Sequence, residues 1–418
     1  MSLQNCRLAF FLLLGTLLIA VIPCEATETS SDSPKPPDIR ATAAILIDAV
    51  SGQVLYAKNP DQPRPPASTT KIMTAILLLE HVRPEEIITA SKQACRTEGS
   101  GLHLQPGEKV LARDMLYAIL LRSANDGCVA VAEYIAGSEA RFAEMMTAKA
   151  REIGATHTTF KNSHGLDCPG HLTTARDLAI IARYASLYPE FNAAVRTKYY
   201  TLARSSNSKD VLLRNHAKFL WKFPGADGVK TGYTYPAGRC FVGGATWNGW
   251  RLISVVLNSP DVVEETARLM KYGFQNFTPM VAVETGQVCA EVPVKAGKTQ
   301  AVPAIAQNRI QYVIPKGAKV QLDLRPQIKP VEAPILAGMT VGVLEAYVDG
   351  HLVGNTKLLA SQTVERTALV VGGMLVSGWY LLCAFGILCV WYATTSSKTA
   401  RLRRNCFQAF LRGYYRRG

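Results

Sequence analysis

Apolar positions fall into two textures along the chain. Up to about residue 277, short apolar runs alternate between a helical and a strand period; beyond it, as far as about Val364, only strand-like runs occur. Ala43 to Asp48 and Gln53 to Lys58 are apolar runs separated by Ala49-Val50-Ser51-Gly52, which predicts a hairpin. Ile72 to His81, Met115 to Leu121, Gly127 to Ile135 and Thr174 to Ala185 have helical spacing, the last opened by the capping signal Thr174-Ala-Arg-Asp177. Arg239 to Trp247 and Arg251 to Leu257, joined by Asn248-Gly249, predict a second hairpin, and Val262 to Phe277 a last helix. Strands at both ends with helices between them imply an α+β or α/β domain.

From Thr278 to about Val364 no helical period appears. Lys319-Val-Gln-Leu-Asp-Leu324 alternates strictly, and Ala346-Tyr-Val-Asp-Gly-His-Leu-Val353 carries the Asp-Gly signal of a hairpin. Short strands with Pro and Gly between them predict a small all-β sandwich over residues 278–366.

Two apolar stretches belong to neither domain. Arg7 is followed by uncharged, mostly apolar residues from Leu8 to Ile22, then by Cys24-Glu25-Ala26, so residues 1–26 read as a secretory signal. Residues 27–39 are a polar, proline-rich linker. Residues 368–393 contain no charge; as a helix they would extend roughly 39 Å, enough to cross a bilayer once with some tilt. A transmembrane helix is expected there, followed by a basic tail over 394–418.

Composition excludes a disordered chain, since 48% of the 418 residues are hydrophobic. The formal charge of +14 suggests nucleic acid until it is located. Lys398, Arg401, Arg403, Arg404, Arg412, Arg416 and Arg417 carry half of it in the tail, with no acid beside them. Cations flanking a span stay on the cytoplasmic side, so the tail is expected inside and the body exported, on a single-pass anchor. The remaining positive charge is dispersed, which argues against nucleic acid. It suits acidic wall polymers or anionic lipids and is equally ordinary for solubility. Outside the signal, span and tail the cysteines are Cys95, Cys128, Cys168, Cys240 and Cys289, odd in number and without a C-x-x-C pair, so neither a disulfide framework nor a zinc site is signalled.

Candidate chemistry begins at Ser68-Thr69-Thr70-Lys71, directly before the apolar run from Ile72 to Leu79. A serine at the start of that helix has Lys71 one turn on and on the same face. Burial lowers the pKa of a lysine toward that of a general base, and the helix N-terminus offers N–H groups to an oxyanion. Ser206-Asn-Ser-Lys209 matches the same pattern but lies in a polar run and reads as a loop. Ser123-Ala124-Asn125 stands between two predicted helices, where its side chains either cap a helix or point into a cleft. Asp227-Gly228-Val229-Lys230-Thr231-Gly232, followed by Tyr233, precedes a strand. It is either an edge-strand turn with a solvated lysine or a close approach for a substrate carboxylate held by Lys230 and Thr231.

Taken together and in this order, the three motifs form the serine, Ser-x-Asn and Lys-Thr-Gly set of penicillin-binding proteins and serine β-lactamases. The chain resembles the D-alanyl-D-alanine carboxypeptidases of the low-molecular-mass penicillin-binding protein type, serine peptidase family S11. The likeness extends to Pro66-Ala-Ser-Thr-Thr-Lys71, Glu98-Gly-Ser-Gly101, Ser163-His-Gly-Leu-Asp167 and Thr173-Thr-Ala-Arg-Asp177, and spans about residues 40–366.

The resemblance implies an α+β transpeptidase-like catalytic domain over 40–277, an antiparallel sheet with helices on both sides, ahead of the β-sandwich. It implies Ser68, Lys71 and Ser123 as catalytic residues and Asn125, Lys230, Thr231, Gly232 and Tyr233 as substrate-binding ones, the N–H groups of Ser68 and Tyr233 forming the oxyanion hole. Its substrates would be peptidoglycan stem peptides ending in D-Ala-D-Ala, with β-lactams as covalent inhibitors and no metal or cofactor. Ala124 replaces the glycine common in the family, a small-for-small change. Gly165 to Asp167 and Asp227 are expected to shape the site rather than react.

His164, His171 and His216 match no zinc spacing, no Gly-x-Ser-x-Gly elbow accompanies them, and they read as surface or core histidines. A β-lactamase shares the motif triplet, but drug hydrolysis requires neither the extra β-domain nor an anchor. A silent wall-binding protein would not need Ser68, Lys71, Ser123 and Lys230 together.

Overall fold

The computed structural model describes residues 35–205, 211–367 and 382–391. The predicted signal, most of the linker, the Ser206–Lys209 segment, most of the predicted span and the basic tail lie outside the described residues. Within the span residues 382–391 are helical, and among the described residues no helix is long and apolar enough to cross a membrane. The chain divides into two units, one built mainly from Val54–Thr278, the other mainly from Pro279–Ile314 and from Lys319 onward.

The first unit is organised on β1 (Ala43–Asp48), β2 (Val54–Lys58), β3 (Ala226–Thr234), β4 (Gly238–Trp247) and β5 (Trp250–Leu257). Their order in the sheet is β2-β1-β5-β4-β3, which leaves β3 at an edge. The pairs β1–β2, β3–β4 and β4–β5 are antiparallel, so the expected α+β arrangement holds and the α/β alternative does not. Central β1 is buried along its whole length, hence its continuous apolar run. At the β4–β5 turn Asn248 and Gly249 both have positive φ, 50° and 78°, the conformation a two-residue hairpin needs.

Helices α1 (Lys71–His81), α2 (Ala112–Tyr117), α3 (Asn125–Ala136), α4 (Glu139–Glu152), α5 (Ala175–Ala185), α6 (Pro189–Arg196), α7 (Phe219–Lys222) and α8 (Val262–Asn276) surround the sheet. A Cβ at Gly273 of α8 would meet Leu46 and Leu252, so α8 lies on the sheet face to which Leu252 points. Arg251 points to the other face by strand alternation and there donates to Asn192 of α6 at 2.7 Å. From Ile72 to Leu78 helix α1 is wholly buried, as its all-round apolar sequence requires. Thr174 caps α5, its side chain accepting from the Asp177 N–H as the motif predicts. The predicted Met115–Leu121 helix is split: α2 ends at Tyr117 and the chain continues as a wider π turn over Ala118–Arg122. Helix α4 has no clear apolar period, because it buries only a narrow stripe, Phe142, Ala143, Met146 and Ala150, within a charged sequence.

The second unit contains β6 (Phe277–Val283), β7 (Val288–Lys295), β8 (Ala301–Ala306), β9 (Ile310–Pro315), β10 (Leu322–Ile328), β11 (Val331–Glu332), β12 (Thr340–Val348) and β13 (His351–Ala360). A six-stranded sheet, β10-β12-β13-β8-β7-β11, and the ribbon β6-β9 share one core that includes Val283, Val302, Tyr312, Leu344 and Leu358. Phe277 opens β6 rather than ending α8, and the strand expected from Lys319 begins at Leu322. The Asp349-Gly350 turn stands where the sequence places it.

Candidate active site

Ser68 lies in a 3-10 turn, Ala67–Thr70, that leads into α1. The turn is held by its own threonines: Thr69 Oγ1 donates to Pro66 O at 2.6 Å and Thr70 Oγ1 to Ala67 O at 2.8 Å. Three residues on, Lys71 sends its amine back to Ser68 Oγ at 3.1 Å. The same Nζ donates to Asn125 Oδ1 and to the His164 carbonyl, both at 2.6 Å. All three partners are neutral oxygens and the side chain is buried, and burial pushes the Lys71 pKa from the usual 10.5 down to about 8, against smaller opposing effects of Cys128 and Asp126.

Ser123 sits in the left-handed conformation, φ 65° and ψ 38°, between the π turn and α3. That reversal turns the chain sharply enough for Ser123 to line the cleft while Asn125 reaches Lys71. Asn125 also donates from Nδ2 to Glu98 O at 2.7 Å, and its N–H bonds Ser100 O at 2.7 Å. The next residue, Asp126, accepts from the N–H groups of Leu102 and Leu104, at 3.0 and 3.1 Å. The Glu98–Leu104 loop is thereby tied to α3, so the Glu98-Gly-Ser-Gly101 motif packs beside Asn125.

The Asp227–Gly232 motif is not a turn before a strand; it is the body of β3, the sheet edge beside Ser68. Nor is Lys230 solvated. It is buried, and its Nζ donates to Ser123 Oγ and Thr231 O, both at 3.0 Å. Burial first, then the neighbouring Lys71, lowers its pKa well below the ordinary lysine value. Glycine at 232 lets β3 lie against the serine turn, because a Cβ there would stand 3.0 Å from Ser68 N and 3.1 Å from Thr69 N. Ser68, Ser100, Ser123, Thr231, Gly232 and Tyr233, with His216 and Arg239, line a cleft of about 360 Å³.

Gly165, Asp167 and Asp227 are held in packing and hydrogen-bond contacts. At Gly165, φ is +93°, and any side chain would collide with the Ala67 carbonyl beneath Ser68. Asp167 Oδ1 accepts from Thr234 Oγ1 at 2.8 Å. Asp227 accepts from Thr246 Oγ1 at 2.6 Å and from Arg251 Nη2 at 2.9 Å, within the sheet.

The three histidines separate. His171 is a core histidine: Nδ1 accepts from the Lys161 N–H, and since Thr70 gives its own proton to Ala67 O, the 2.9 Å contact from Nε2 to Thr70 Oγ1 is an N–H donation. Burial keeps it neutral, with a pKa lowered to about 4. His164 is buried as well, its carbonyl serving Lys71 and its Nε2 lying 3.3 Å from Glu139 Oε1. His216 is not a bystander; it lines the cleft with Ser68 and Ser123. No motif around it announces this.

A buried amine on an open serine, faced by a second Ser–Lys pair and an edge strand able to dock a peptide, is the arrangement of a serine acyl-transfer enzyme. Residues 30–261 match the family described as D-alanyl-D-alanine carboxypeptidase, and residues 277–366 match the family described as penicillin-binding protein 5, C-terminal domain. The chain belongs to the D-alanyl-D-alanine carboxypeptidase family. It is 32% identical over 375 residues to D-alanyl-D-alanine carboxypeptidase DacF of Bacillus subtilis, covering 87% of this chain and 96% of that one. It is 33% identical over 367 residues to DacD of Escherichia coli, covering 82% and 92%. Penicillin binding protein 5 from Haemophilus influenzae superimposes with a TM-score of 0.67 at 30% identity, covering 80% of this chain and 100% of that structure.

Proposed function

We infer that the protein is a serine-type D-Ala-D-Ala carboxypeptidase that removes the terminal D-alanine of peptidoglycan stem peptides and is acylated by penicillins. The observation that carries the reading is the Lys71 amine on Ser68 Oγ at 3.1 Å, in a site that also contains the Ser123–Lys230 pair. As a neutral amine, Lys71 turns its lone pair to the Ser68 hydroxyl while two N–H bonds stay on Asn125 and His164 O. Ser68 Oγ then attacks the carbonyl carbon of the penultimate D-alanine and its proton passes to Lys71. Because Ser123 Oγ accepts from Lys230, its own proton is available to the departing amine nitrogen as the C–N bond breaks, and the proton that Lys71 took from Ser68 replaces it, so that Lys71 is again neutral. Water hydrolyses the ester that remains on Ser68. Lys230 and Thr231 are assigned to the substrate carboxylate, Asn125 to its amide, and the N–H groups of Ser68 and Tyr233 to the oxyanion, with Gly232 giving the peptide room along β3.

The same reading assigns residues 40–277 to catalysis and 278–366 to an accessory β-domain. It places the body outside the bacterial cell membrane, held by the uncharged stretch 368–393 with the basic tail inside; the charge distribution supports this. Release of free D-alanine from a D-Ala-D-Ala peptide by the purified protein tests the activity, and no release from any such peptide would reject it. Ending the chain at residue 366 should free it from the membrane fraction; retention there would reject the anchor.

A further inference from the structure

Behind the catalytic cleft, cations gather around one tryptophan. Trp221, in α7, is 38% exposed. Lys198 Nζ stands 5.8 Å and Arg214 Cζ 5.5 Å from its ring centroid, and the exposed Tyr199 meets it edge-on at 6.3 Å. Tyr199 and Arg214 are register partners in a short antiparallel ribbon, Tyr199–Thr201 with Leu212–Arg214, so backbone pairing fixes where both side chains start. Arg196, Lys198, Trp221, Lys222 and the Pro224-Gly225 turn line an open cleft of about 430 Å³ with no acidic residue in its lining. Arg196 reaches Asp227 at 3.7 Å; among the described residues Lys198, Arg214 and Lys222 have no carboxylate partner.

Such a cluster works against folding, because like charges repel and the one ion pair within it is that of Arg196 with Asp227 among the described residues. What holds Lys198 and Arg214 is the indole: a cation–π contact at an exposed site is worth about 0.5–1 kcal/mol and restricts the side chain. They are thereby preorganised for an anion, and less entropy remains to be lost when one binds. The cluster is also joined to the active site by one short segment. Asn215 is buried and donates to Val195 O and Thr197 O, while its neighbours Arg214 and His216 both face outward, and His216 lines the catalytic cleft.

We propose that Lys198, Arg214, Lys222 and Arg196 around Trp221 form a binding surface for a carboxylate-bearing glycan strand, the peptidoglycan polymer whose stem peptide occupies the Ser68 cleft. This rests on the proposed function in the identity of the polymer. Carboxylates of neighbouring stem peptides meet the cations, and the aromatic faces of Trp221 and Tyr199 suit the apolar faces of amino sugars. The surface gives the enzyme a preference for polymeric wall over free peptide without any change in the catalytic residues.

The test uses the full-length protein in detergent, first acylated with penicillin so that the cleft itself is blocked. Co-sedimentation with purified, protein-free peptidoglycan is compared between the wild type, Lys198→Ser/Lys222→Ser and Lys198→Glu/Lys222→Glu at low and high salt; the basic tail is the same in all three. We expect the serine pair to weaken pelleting about fivefold and the glutamate pair about tenfold or more, with the differences shrinking at high salt. Unblocked enzymes should show the same ranking for D-alanine release from pentapeptide-rich wall, yet agree within about twofold on a soluble D-Ala-D-Ala tripeptide. Unchanged pelleting overturns the proposal. So does a parallel loss on the tripeptide, which would put the cations in the peptide site. Variant-sensitive binding to phosphatidylglycerol vesicles and not to wall overturns it in favour of a lipid surface. A wild type inactive on every D-Ala-D-Ala peptide would instead sink the proposed function and leave the pelleting comparison readable.

Discussion

Lys230 and Ser123, 107 positions apart, meet in a hydrogen bond of 3.0 Å from the amine to the hydroxyl. The bond joins the edge strand β3 to the turn before α3. It leaves Ser123 with a proton to give and orients a lysine that has no carboxylate to satisfy it. Both Lys71 and Lys230 are therefore buried among neutral oxygens, and burial lowers the pKa of each.

Replacing the nucleophile tests the centre of the site. Ser68→Ala should abolish both covalent penicillin labelling and D-alanine release while leaving thermal stability nearly unchanged, since the one side-chain bond recorded at Ser68 Oγ comes from Lys71. Ser206→Ala, at the other Ser-x-x-Lys match, should retain both activities. Labelling that survives in Ser68→Ala protein would end the assignment.

Acylation should depend on pH through Lys71. Only the neutral amine accepts the Ser68 proton, so the rate of acylation by a penicillin should rise about tenfold per unit on the acid side and level off near pH 8, where burial has brought the Lys71 pKa. Stability follows the same sign. A lysine whose folded pKa lies below its unfolded value binds fewer protons when folded, so its burial penalty is largest below about pH 8 and is relieved as pH rises toward the unfolded value of 10.5. Rapid-mixing acylation rates from pH 6 to 10 provide the check; a flat profile would remove Lys71 as the base.

The role of Lys230 is open to a double-mutant comparison. Amidating the substrate C-terminus removes the negative charge and keeps the scissile bond. A charge-assisted contact is worth about 1.5–3 kcal/mol, roughly ten- to a hundredfold in kcat/KM. Amidation should cost the wild type that factor, Lys230→Gln should cost the free acid a similar one, and the variant should lose little more on the amide. If the two penalties multiply, Lys230 does not hold the carboxylate and acts instead through Ser123 on proton transfer.

Two glycines with the same backbone angle separate strain from contact. Gly165 and Gly154 both have φ of +93°, but a Cβ at 165 would strike Ala67 O under the nucleophile and one at 154 would meet nothing within 4 Å. Gly154→Ala should cost about 1 kcal/mol and leave activity intact. Gly165→Ala should cost at least about 2 kcal/mol and displace the Ser68 turn, lowering kcat/KM about a hundredfold. Equal melting temperatures and equal activities would show that the loop yields without moving Ser68.

The sequence by itself determined the elements whose cause is local. A continuous apolar run made α1 a buried helix, Thr174 with Asp177 opened α5, Asn-Gly and Asp-Gly set two hairpins, and the change of period near residue 277 separated an α+β unit from an all-β one. Ser68 and Lys71 were legible for the same reason, because three residues of helical geometry bring them together. Tertiary structure decided the rest. Nothing local shows that Lys230 is buried, that the edge strand meets the serine turn at Gly232, or that the His164 carbonyl completes the cage around Lys71. His216 and the cations around Trp221 were equally hidden, since their positions come from a ribbon and a short helix that carry no motif of their own. A sequence encodes period and turn chemistry within a few residues, whereas a site assembled from five segments exists only once long-range packing has paid their chain entropy.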